Sequence, residues 1–249
     1  MSGSDSGTAP NGESPENAGR DVRAYSSPAC MMHEIDPAST PLPEKQPPAS
    51  PAQQWEEVRL WRKVKRAVLI ERRLSMPDAE RAVHGKAITE ALLQVLPSPP
   101  GTLIGFYWPF KGEYDPRALA RLLHARGIRL ALPVVVEKSA PVIFREWWPG
   151  IPMASGVWSI PVPAAGEPVA PSVLLVPVLG FDRQNYRLGY GGGYYDRTLA
   201  AAATRPRAIG VGFEQSRIAT IHPQPHDIPM DQVVTERALA GSASSGLPP

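Results

Sequence analysis

The sequence has 249 residues, of which 43% are hydrophobic, and this is enough for one large folded domain with a buried core. Its 26 basic and 24 acidic residues nearly balance, which argues against a composition built to bind nucleic acid. The single cysteine, Cys30, excludes an intramolecular disulfide and a thiolate zinc site. The sequence contains neither a membrane span of roughly 20 apolar residues nor the apolar core of a signal peptide, so we expect a cytoplasmic protein with no membrane partner.

The two ends of the chain differ in composition from the middle. Residues 1–52 are rich in Ser, Pro, Gly and acidic residues and contain one aromatic residue, Tyr25. Such a segment buries too little apolar surface to offset the entropy of ordering, which predicts a disordered N-terminal extension. Residues 240–249 predict a second disordered tail. Residues 53–239 are expected to form a single domain.

The first predicted element is a basic amphipathic helix. Val58, Trp61, Val64 and Val68 recur at intervals of three and four residues, which is typical of a helix with one apolar face, and the pattern ends near Leu74. Seven basic and three acidic residues lie between positions 55 and 73. These basic residues predict either an anion-binding surface or a solvated cationic face.

A second helix is predicted directly after the first. Ser75 is a candidate N-cap, Pro77 suits the first helical turn, and Asp78 adds an acidic residue where the helix dipole favours one. The prolines between positions 97 and 100 end this helix.

Apolar stretches of strand length then alternate with helices. The stretches are TLIGFYW (102–108), IRLALPVVV (128–136), PVIFREWW (141–148), SVLLVPVLGF (172–181) and RAIGVGF (207–213). A helix from Asp115-Pro116 to Gly127 separates the first two, and another follows a glycine-rich loop. The alternation predicts an α/β fold of five or six strands, in which helices flank a largely parallel central sheet and ligands bind at the C-terminal ends of strands.

The glycine-rich loop, RLGYGGGYYD (Arg187–Asp196), is the candidate ligand site. Glycine allows positive φ and lets consecutive N–H groups face a phosphate, and the start of the next helix adds positive potential. Arg187 can supply a charged fork to a phosphate. Asp196, in the first helical turn, can bind a magnesium ion that bridges phosphate oxygens.

Neither of two familiar glycine motifs fits this loop. Counted from Gly189, the sixth position of a dinucleotide fingerprint is Tyr194 instead of glycine. A Walker A loop requires Gly-Lys followed by Ser or Thr, but Gly193 precedes two tyrosines. A turn that only connects a strand to a helix remains the alternative.

Four segments together resemble the 5-formyltetrahydrofolate cyclo-ligase family over about residues 58–236: LVPVLGFDRQNYRLGYGGGYYDRTLA, GFYWPFKGEYDP, WSIPVP and WRKVKRAVLIERR. The resemblance implies a three-layer α/β sandwich of the NagB/RpiA/CoA-transferase-like type. It also implies the ATP- and Mg²⁺-dependent closure of 5-formyltetrahydrofolate to 5,10-methenyltetrahydrofolate, with release of ADP and phosphate. In that chemistry ATP phosphorylates the formyl oxygen, the folate N10 attacks the activated carbon, and phosphate leaves. We expect a monomer whose partners are ATP and the folate.

The resemblance further implies roles for individual residues. The catalytic residues are Arg187, Tyr194 and Asp196. The ATP-binding residues are Arg62, Lys63, Arg66, Arg187, Leu188, Gly189, Tyr190, Gly191, Gly192, Gly193, Tyr194 and Tyr195. The substrate-binding residues are Trp108, Glu113, Tyr190, Gly191, Gly192, Gly193 and Tyr194. The metal ligands are Asp196 and Asp227, of which Asp227 is either a second metal ligand or a structural contact, with Asp231 as the alternate to Asp227. A register shifted by one would replace the Arg62 and Arg66 pair with Trp61 and Lys65.

Some positions depart from the family pattern or carry another interpretation. Tyr190 stands where many relatives have Arg or Lys, and Ile160-Pro161 replaces a Glu-Pro. We interpret His222 and His226 as surface histidines, because no third ligand lies at metal spacing. Trp147 and Trp148 are expected to cover the core or the rim of the cavity.

Two other function classes stay open on the sequence. A non-enzymatic nucleotide- or RNA-binding module could use the basic helix and the tyrosines of the glycine-rich loop. The near-neutral charge and the acidic residues around the loop oppose a polyanion. A sugar-phosphate isomerase or acyl-transfer enzyme on a similar scaffold would need a base or nucleophile near the loop, and the sequence offers no Ser-His or Cys-His arrangement there.

Overall fold

The computed structural model describes residues 51–97 and 99–240, and the predicted N-terminal extension and C-terminal tail lie almost entirely outside these ranges. The helices are α1 (Pro51–Leu74), α2 (Asp78–Val95), α3 (Arg117–Ala125) and α4 (Tyr194–Ala201). The strands are β1 (Leu103–Gly105), β2 (Arg129–Val134), β3 (Ile143–Trp147), β4 (Met153–Ser155), β5 (Pro161–Pro163), β6 (Pro168–Val169), β7 (Val173–Pro177), β8 (Gly180–Phe181), β9 (Arg187–Leu188), β10 (Arg207–Val211), β11 (Gln232–Thr235) and β12 (Ala238–Ala240).

The helix ends follow local chemistry, with one correction. The predicted N-cap of α2, Ser75, does not cap it: its hydroxyl donates to the carbonyl of Arg72 at 2.9 Å, and Pro77 occupies the cap position. Asp115 behaves as expected before α3, because its Oδ1 accepts the backbone N–H of Arg117 at 2.9 Å. The predicted C-terminal residue Gly127 is also confirmed, because it follows α3 with a φ of 78°.

The central sheet is mostly parallel, as predicted. Its strand order is β12-β11-β10-β7-β1-β2-β3-β6. The five inner strands from β11 to β2 pair in parallel, whereas β12, β3 and β6 add antiparallel edges. The sheet therefore has more strands than the five or six expected.

Helices cover both faces of the sheet. Because successive side chains of a strand point to opposite faces, Leu174 of β7 lies on one side and Leu175 on the other. The face of Leu175 packs against α2 and α3, and the face of Leu174 packs against Leu199 of α4. This double burial explains the nearly continuous apolar runs in the sequence, and it confirms the flanked α/β architecture. None of the helices in the described ranges is both long and apolar enough to cross a bilayer.

β7 leads into the glycine-rich loop through the short β8–β9 hairpin. Helix α1 packs on this hairpin through a small buried cluster of Leu69, Leu179, Leu188 and Ile221. A Cβ at Gly180 would lie 2.7 Å from Cδ1 of Leu69, so a larger residue there would displace the Leu69 side chain from this contact. The basic helix is thereby held against the loop that follows β9.

The face that α1 turns inward is not the predicted one. Val64 and Val68 are 57% and 51% exposed, whereas Arg62 and Arg73 are buried together with Leu69. The helix exists over the expected residues, but Arg62 and Arg73, and not Val64 and Val68, face the protein. The reason lies in the acceptors that these arginines find in distant segments.

Candidate active site

A cavity of about 720 Å³ lies between α1, residues 107–113, residues 157–162 and the glycine-rich loop. This volume is typical of sites for small-molecule ligands. All residues to which the resemblance gave a role line it: Arg62, Lys63, Arg66, Trp108, Glu113, Asp227 and every residue from Arg187 to Asp196. Trp61, Lys65 and Asp231 are not among the described residues that line it. The Arg62 and Arg66 register is therefore the one that faces the cavity.

The glycine-rich loop takes a backbone path that requires glycine. Gly191 and Gly193 have φ values of 97° and 64°. A Cβ at Gly191 would also lie 3.3 Å from the guanidinium carbon of Arg66. Nε of Arg66 donates to the carbonyl of Gly189 at 2.8 Å, so α1 supports the loop directly. Gly193 then occupies the cap position of α4.

Arg187 and Asp196 form a largely buried ion pair at the two ends of the loop. Nη2 of Arg187 donates to Oδ2 of Asp196 at 2.9 Å, and the two side chains are 6% and 17% exposed. The backbone N–H of Ile228 donates to Oδ1 of Asp196 at 3.3 Å. Nε of Arg187 is buried and has no hydrogen-bond partner within the described part of the chain. A buried N–H of this kind is suited to an anionic ligand.

Arg62 connects α1 to residues 221–227. Its guanidinium forms two hydrogen bonds with the carboxylate of Asp227, one of them at 3.2 Å, and it donates to the carbonyls of Ile221 at 3.1 Å and His222 at 2.8 Å. The backbone N–H of Gln224 also donates to Asp227 at 2.7 Å. Both carboxylate oxygens of Asp227 therefore already have partners, as do those of Asp196, and the role of each as a metal ligand stays a prediction.

Asp182 holds two segments that lie near the Arg62–Asp227 ion pair. Its Oδ1 accepts the backbone N–H groups of Gln184 and Tyr186 at 3.0 and 3.1 Å, and its Oδ2 accepts that of Ile221 at 3.2 Å. The side chain is 2% exposed. Asp182 thus orients Tyr186, which precedes Arg187, and Ile221, whose carbonyl accepts a hydrogen bond from Arg62.

Glu113 lies in a buried network at the other end of the cavity. Its Oε1 accepts the hydroxyl of Tyr190 at 3.0 Å, and its Oε2 accepts the backbone N–H of Phe110 at 2.9 Å. Arg73 donates to the Tyr190 hydroxyl and, at 3.0 Å, to the carbonyl of Lys111. Tyr190 therefore joins the glycine-rich loop to Glu113.

Burial dominates the acidity of Glu113. Desolvation raises the pKa of its carboxyl group, and the charge of Arg73 and the hydrogen bonds from Phe110 and Tyr190 lower it again, so that the pKa reaches about 7. Near neutral pH the group is thus divided between its two protonation states. The sequence indicated Glu113 but not Arg73, which is 2% exposed and lies at the end of α1.

Aromatic side chains form one edge of the cavity. Trp158 is 57% exposed, has a φ of 56°, and lies nearly parallel to Phe110 with a ring-centroid distance of 6.4 Å. The ring of Tyr194 meets Trp158 edge-on at 6.4 Å. Trp147, by contrast, is buried in the core against Phe106. The prediction for Trp148 is wrong, because this residue is 46% exposed and is not among the lining residues described.

Comparison with known proteins identifies the family. Residues 58–236 match the model of the 5-formyltetrahydrofolate cyclo-ligase family. The chain belongs to this family. The 5-formyltetrahydrofolate cyclo-ligase of Mycolicibacterium smegmatis is 33% identical over 180 residues, which cover 69% of this chain and 92% of that protein. The protein of the same name from Escherichia coli is 28% identical over 174 residues, covering 66% and 93%.

Solved structures of cyclo-ligase relatives share the fold. The 5,10-methenyltetrahydrofolate synthetase of Aquifex aeolicus superposes with a TM-score of 0.63 and 26% identity, covering 76% of this chain and 96% of that one. The synthetase of Mycoplasma pneumoniae gives a TM-score of 0.58 at 22% identity, covering 70% and 98%. The family match does not favour the alternative of a non-enzymatic nucleotide- or RNA-binding module.

In this cyclo-ligase, replacing Glu113 with Gln is expected to change how stability depends on pH. The carboxyl group has an ordinary pKa of 4.5 and a pKa of about 7 in the fold, so the folded state binds the proton more tightly. Below pH 4.5 the carboxyl group is protonated in both the folded and the unfolded state, and its burial then costs little. As the pH rises from 4.5 to 7, the unfolded state loses this proton first, so the folded state becomes less stable relative to it. The Glu113→Gln variant keeps a neutral side chain, so wild type should lose up to about 3 kcal/mol relative to the variant between pH 4.5 and pH 8.

Urea unfolding of both proteins across this pH range measures the difference. Glu90→Gln is the matched control, because Glu90 is 63% exposed and pairs only with Lys86, at 3.9 Å, among the ion pairs of the described residues. Stability profiles of wild type and Glu113→Gln that run parallel would contradict the raised pKa.

Proposed function

We propose that this protein catalyses the ATP- and Mg²⁺-dependent cyclisation of 5-formyltetrahydrofolate to 5,10-methenyltetrahydrofolate, with release of ADP and phosphate. One observation carries the proposal beyond family membership. A single cavity brings together the glycine-rich loop, which Arg66 supports, and the buried Glu113. The hydroxyl of Tyr190 in the loop donates to Oε1 of Glu113 at 3.0 Å and so connects the two. The two ends of this cavity suit a phosphorylated nucleotide and a pterin, respectively.

The loop end suits the triphosphate of ATP. Arg66 and Lys63 line the cavity beside the loop, and Arg187 keeps a buried Nε without a partner in the residues described. The positive φ of Gly191 and Gly193 and the start of α4 suit the binding of phosphate by backbone N–H groups. We assign ATP binding to Arg62, Lys63, Arg66 and the loop residues from Arg187 to Tyr195. Arg62 acts indirectly, by binding and positioning residues 221–227.

The same end suits a magnesium ion that arrives with the nucleotide. Within residues 51–97 and 99–240 there is no cluster of three or more His, Cys, Asp or Glu side chains able to hold a metal. Asp196 alone offers a carboxylate at the start of α4, and Mg²⁺ commonly takes one or two carboxylates together with phosphate oxygens and water. We therefore assign the ion to Asp196, where it would neutralise charge on the phosphates.

The Glu113 end suits the pterin ring. An ionised carboxylate can accept both hydrogen bonds from the N3–H and 2-amino group of a pterin. Trp108 lines the cavity as an apolar wall, and the guanidinium of Arg117 lies 5.1 Å from its ring centre. We assign Glu113, Trp108 and the loop residues from Tyr190 to Tyr194 to substrate binding.

The chemistry that we propose balances without a further reactant. The formyl oxygen attacks the γ-phosphorus of ATP, the bond between this phosphorus and the β–γ bridging oxygen breaks, and ADP leaves. N10 then attacks the formyl carbon and loses its proton, and the carbon–oxygen bond breaks to release inorganic phosphate. The protein aligns the reactants and stabilises the charge on the transferring oxygens, tasks that we give to Arg187, Tyr194 and Asp196.

The direct test is the absorbance of methenyltetrahydrofolate after the protein is mixed with 5-formyltetrahydrofolate, Mg²⁺ and ATP. We expect absorbance to grow only when ATP is present. A flat trace from folded protein would contradict the proposal. Parallel omission of Mg²⁺ tests the requirement for the metal separately.

A cytoplasmic location and a monomeric state complete the proposal. A chain with a single cysteine suits a reducing compartment. We propose a monomer, and the nearly equal numbers of basic and acidic residues do not suit nucleic acid as a partner. Light scattering should give a mass near the 26.9 kDa of one chain.

A further inference from the structure

The cavity extends past the arginines of α1 to Trp55, which none of the roles above uses. Trp55 is 42% exposed and lines the cavity near the start of α1. The imidazole ring of His226, which also lines the cavity, meets the indole ring nearly at right angles, with a centroid distance of 5.4 Å. A perpendicular contact cannot cover both faces of the indole, and the exposure of Trp55 agrees with an open face.

Trp55 lies on the same face of α1 as the arginines of the site. Seven residues, close to two helical turns, separate Trp55 from Arg62, and eleven, close to three turns, separate it from Arg66. At 1.5 Å per residue the indole is therefore about 10 Å along the helix from Arg62 and about 16 Å from Arg66. A nucleoside triphosphate stretches over a comparable length from its base to its terminal phosphate.

The partner of Trp55 is the neighbour of a residue that Arg62 binds. His226 directly precedes Asp227, whose carboxylate is bound by Arg62. The ion pair thus anchors the residue next to the imidazole, and it connects the aromatic end of the cavity to the cationic one. An aromatic surface beside bound phosphates is suited to stacking of a heterocyclic base.

We propose that Trp55, braced by His226, is the stacking platform for the purine base of the nucleotide, with the triphosphate running along α1 toward Arg66 and the glycine-rich loop. This inference rests on the proposed use of ATP. It gives the Trp55 end of the cavity to the base and leaves the Glu113 end to the pterin.

The chain supplies a matched control in a second Trp–His pair. The rings of Trp61 and His222 meet edge-on at 4.6 Å, also between α1 and residues 221–227. Neither Trp61 nor His222 is among the described residues that line the cavity. Loss of Trp61 therefore removes a similar ring contact without touching the proposed platform.

The test is calorimetric titration of wild type, Trp55→Ala, Trp55→Phe and Trp61→Ala with Mg-ATP and, separately, with inorganic tripolyphosphate. Trp55→Ala should weaken ATP binding at least about tenfold and change tripolyphosphate binding less than twofold, because only ATP carries a base. Trp55→Phe should restore most of the ATP affinity, and Trp61→Ala should leave both affinities near wild type.

Different failures have different meanings. Equal losses for ATP and tripolyphosphate in Trp55→Ala, or no loss for either, would overturn the platform while leaving the proposed ATP dependence standing. A Trp55→Ala variant that binds ATP normally but binds 5-formyltetrahydrofolate weakly would assign the indole to the pterin and also overturn the platform. Wild-type protein that binds no ATP would overturn the proposed function itself.

Discussion

Asp196→Asn is expected to lower the ATP-dependent turnover at least about a hundredfold while the protein stays folded. Asn has nearly the shape of Asp, so the start of α4 and the hydrogen bond from Ile228 can persist. The variant loses the negative charge that pairs with Arg187 at 2.9 Å and that a magnesium ion requires. Turnover at saturating ATP and folate, measured with circular dichroism as the check of folding, tests this expectation.

Glu146→Gln is the control for the loss of an acidic partner. Glu146 pairs with Arg129 at 2.6 Å between β3 and β2, where both side chains are more than one third exposed. Its loss should leave turnover near wild type, because exposed ion pairs contribute little and this pair lies away from the cavity. Wild-type turnover in Asp196→Asn would remove Asp196 from the catalytic residues.

Arg62→Met is expected to lower the free energy of unfolding by about 3 kcal/mol. Arg62 and Asp227 have side chains that are 10% and 9% exposed, so removal of the guanidinium leaves a buried carboxylate without its main partner. It also removes two hydrogen bonds to the carbonyls of Ile221 and His222. Urea unfolding measures the loss.

A double-mutant cycle isolates the ion pair from these other contacts. Asp227→Asn alone should also destabilise the protein, but the double variant Arg62→Met with Asp227→Asn should lose less than the sum of the two single losses. Strictly additive losses would mean that the pair contributes no coupling and that Arg62 acts only through the carbonyls.

The fold was predictable where long apolar runs define an element. β2, β3, β7 and β10 each lie within one of the predicted stretches, because strands buried on both faces need consecutive apolar residues. The strands that the sequence did not indicate have two to four residues each, and they are β4, β5, β6, β9, β11 and β12. So short a strand carries no periodicity, and its pairing is decided by partners elsewhere in the chain.

The site was predictable where a motif defines a backbone path. The glycine-rich loop and Asp196 lie as expected, since the glycines are needed for positive φ and the helix starts directly afterwards. The inward face of α1 was not predictable from its apolar period. The acceptor that buries Arg62 is Asp227, 165 residues away, and the hydroxyl that receives Arg73 is on Tyr190, 117 residues away. These contacts join residues that are far apart in the chain, so the local sequence pattern does not reveal them.

The oxygen of the formyl group offers the most direct test of the proposed reaction. When 5-formyltetrahydrofolate labelled with ¹⁸O in the formyl group is converted in the presence of ATP and Mg²⁺, the inorganic phosphate released should carry one ¹⁸O atom for each methenyltetrahydrofolate formed. This result follows because the formyl oxygen becomes a phosphate oxygen when its bond to carbon breaks. Label that appears in water, with unlabelled phosphate, would contradict phosphorylation of the formyl oxygen.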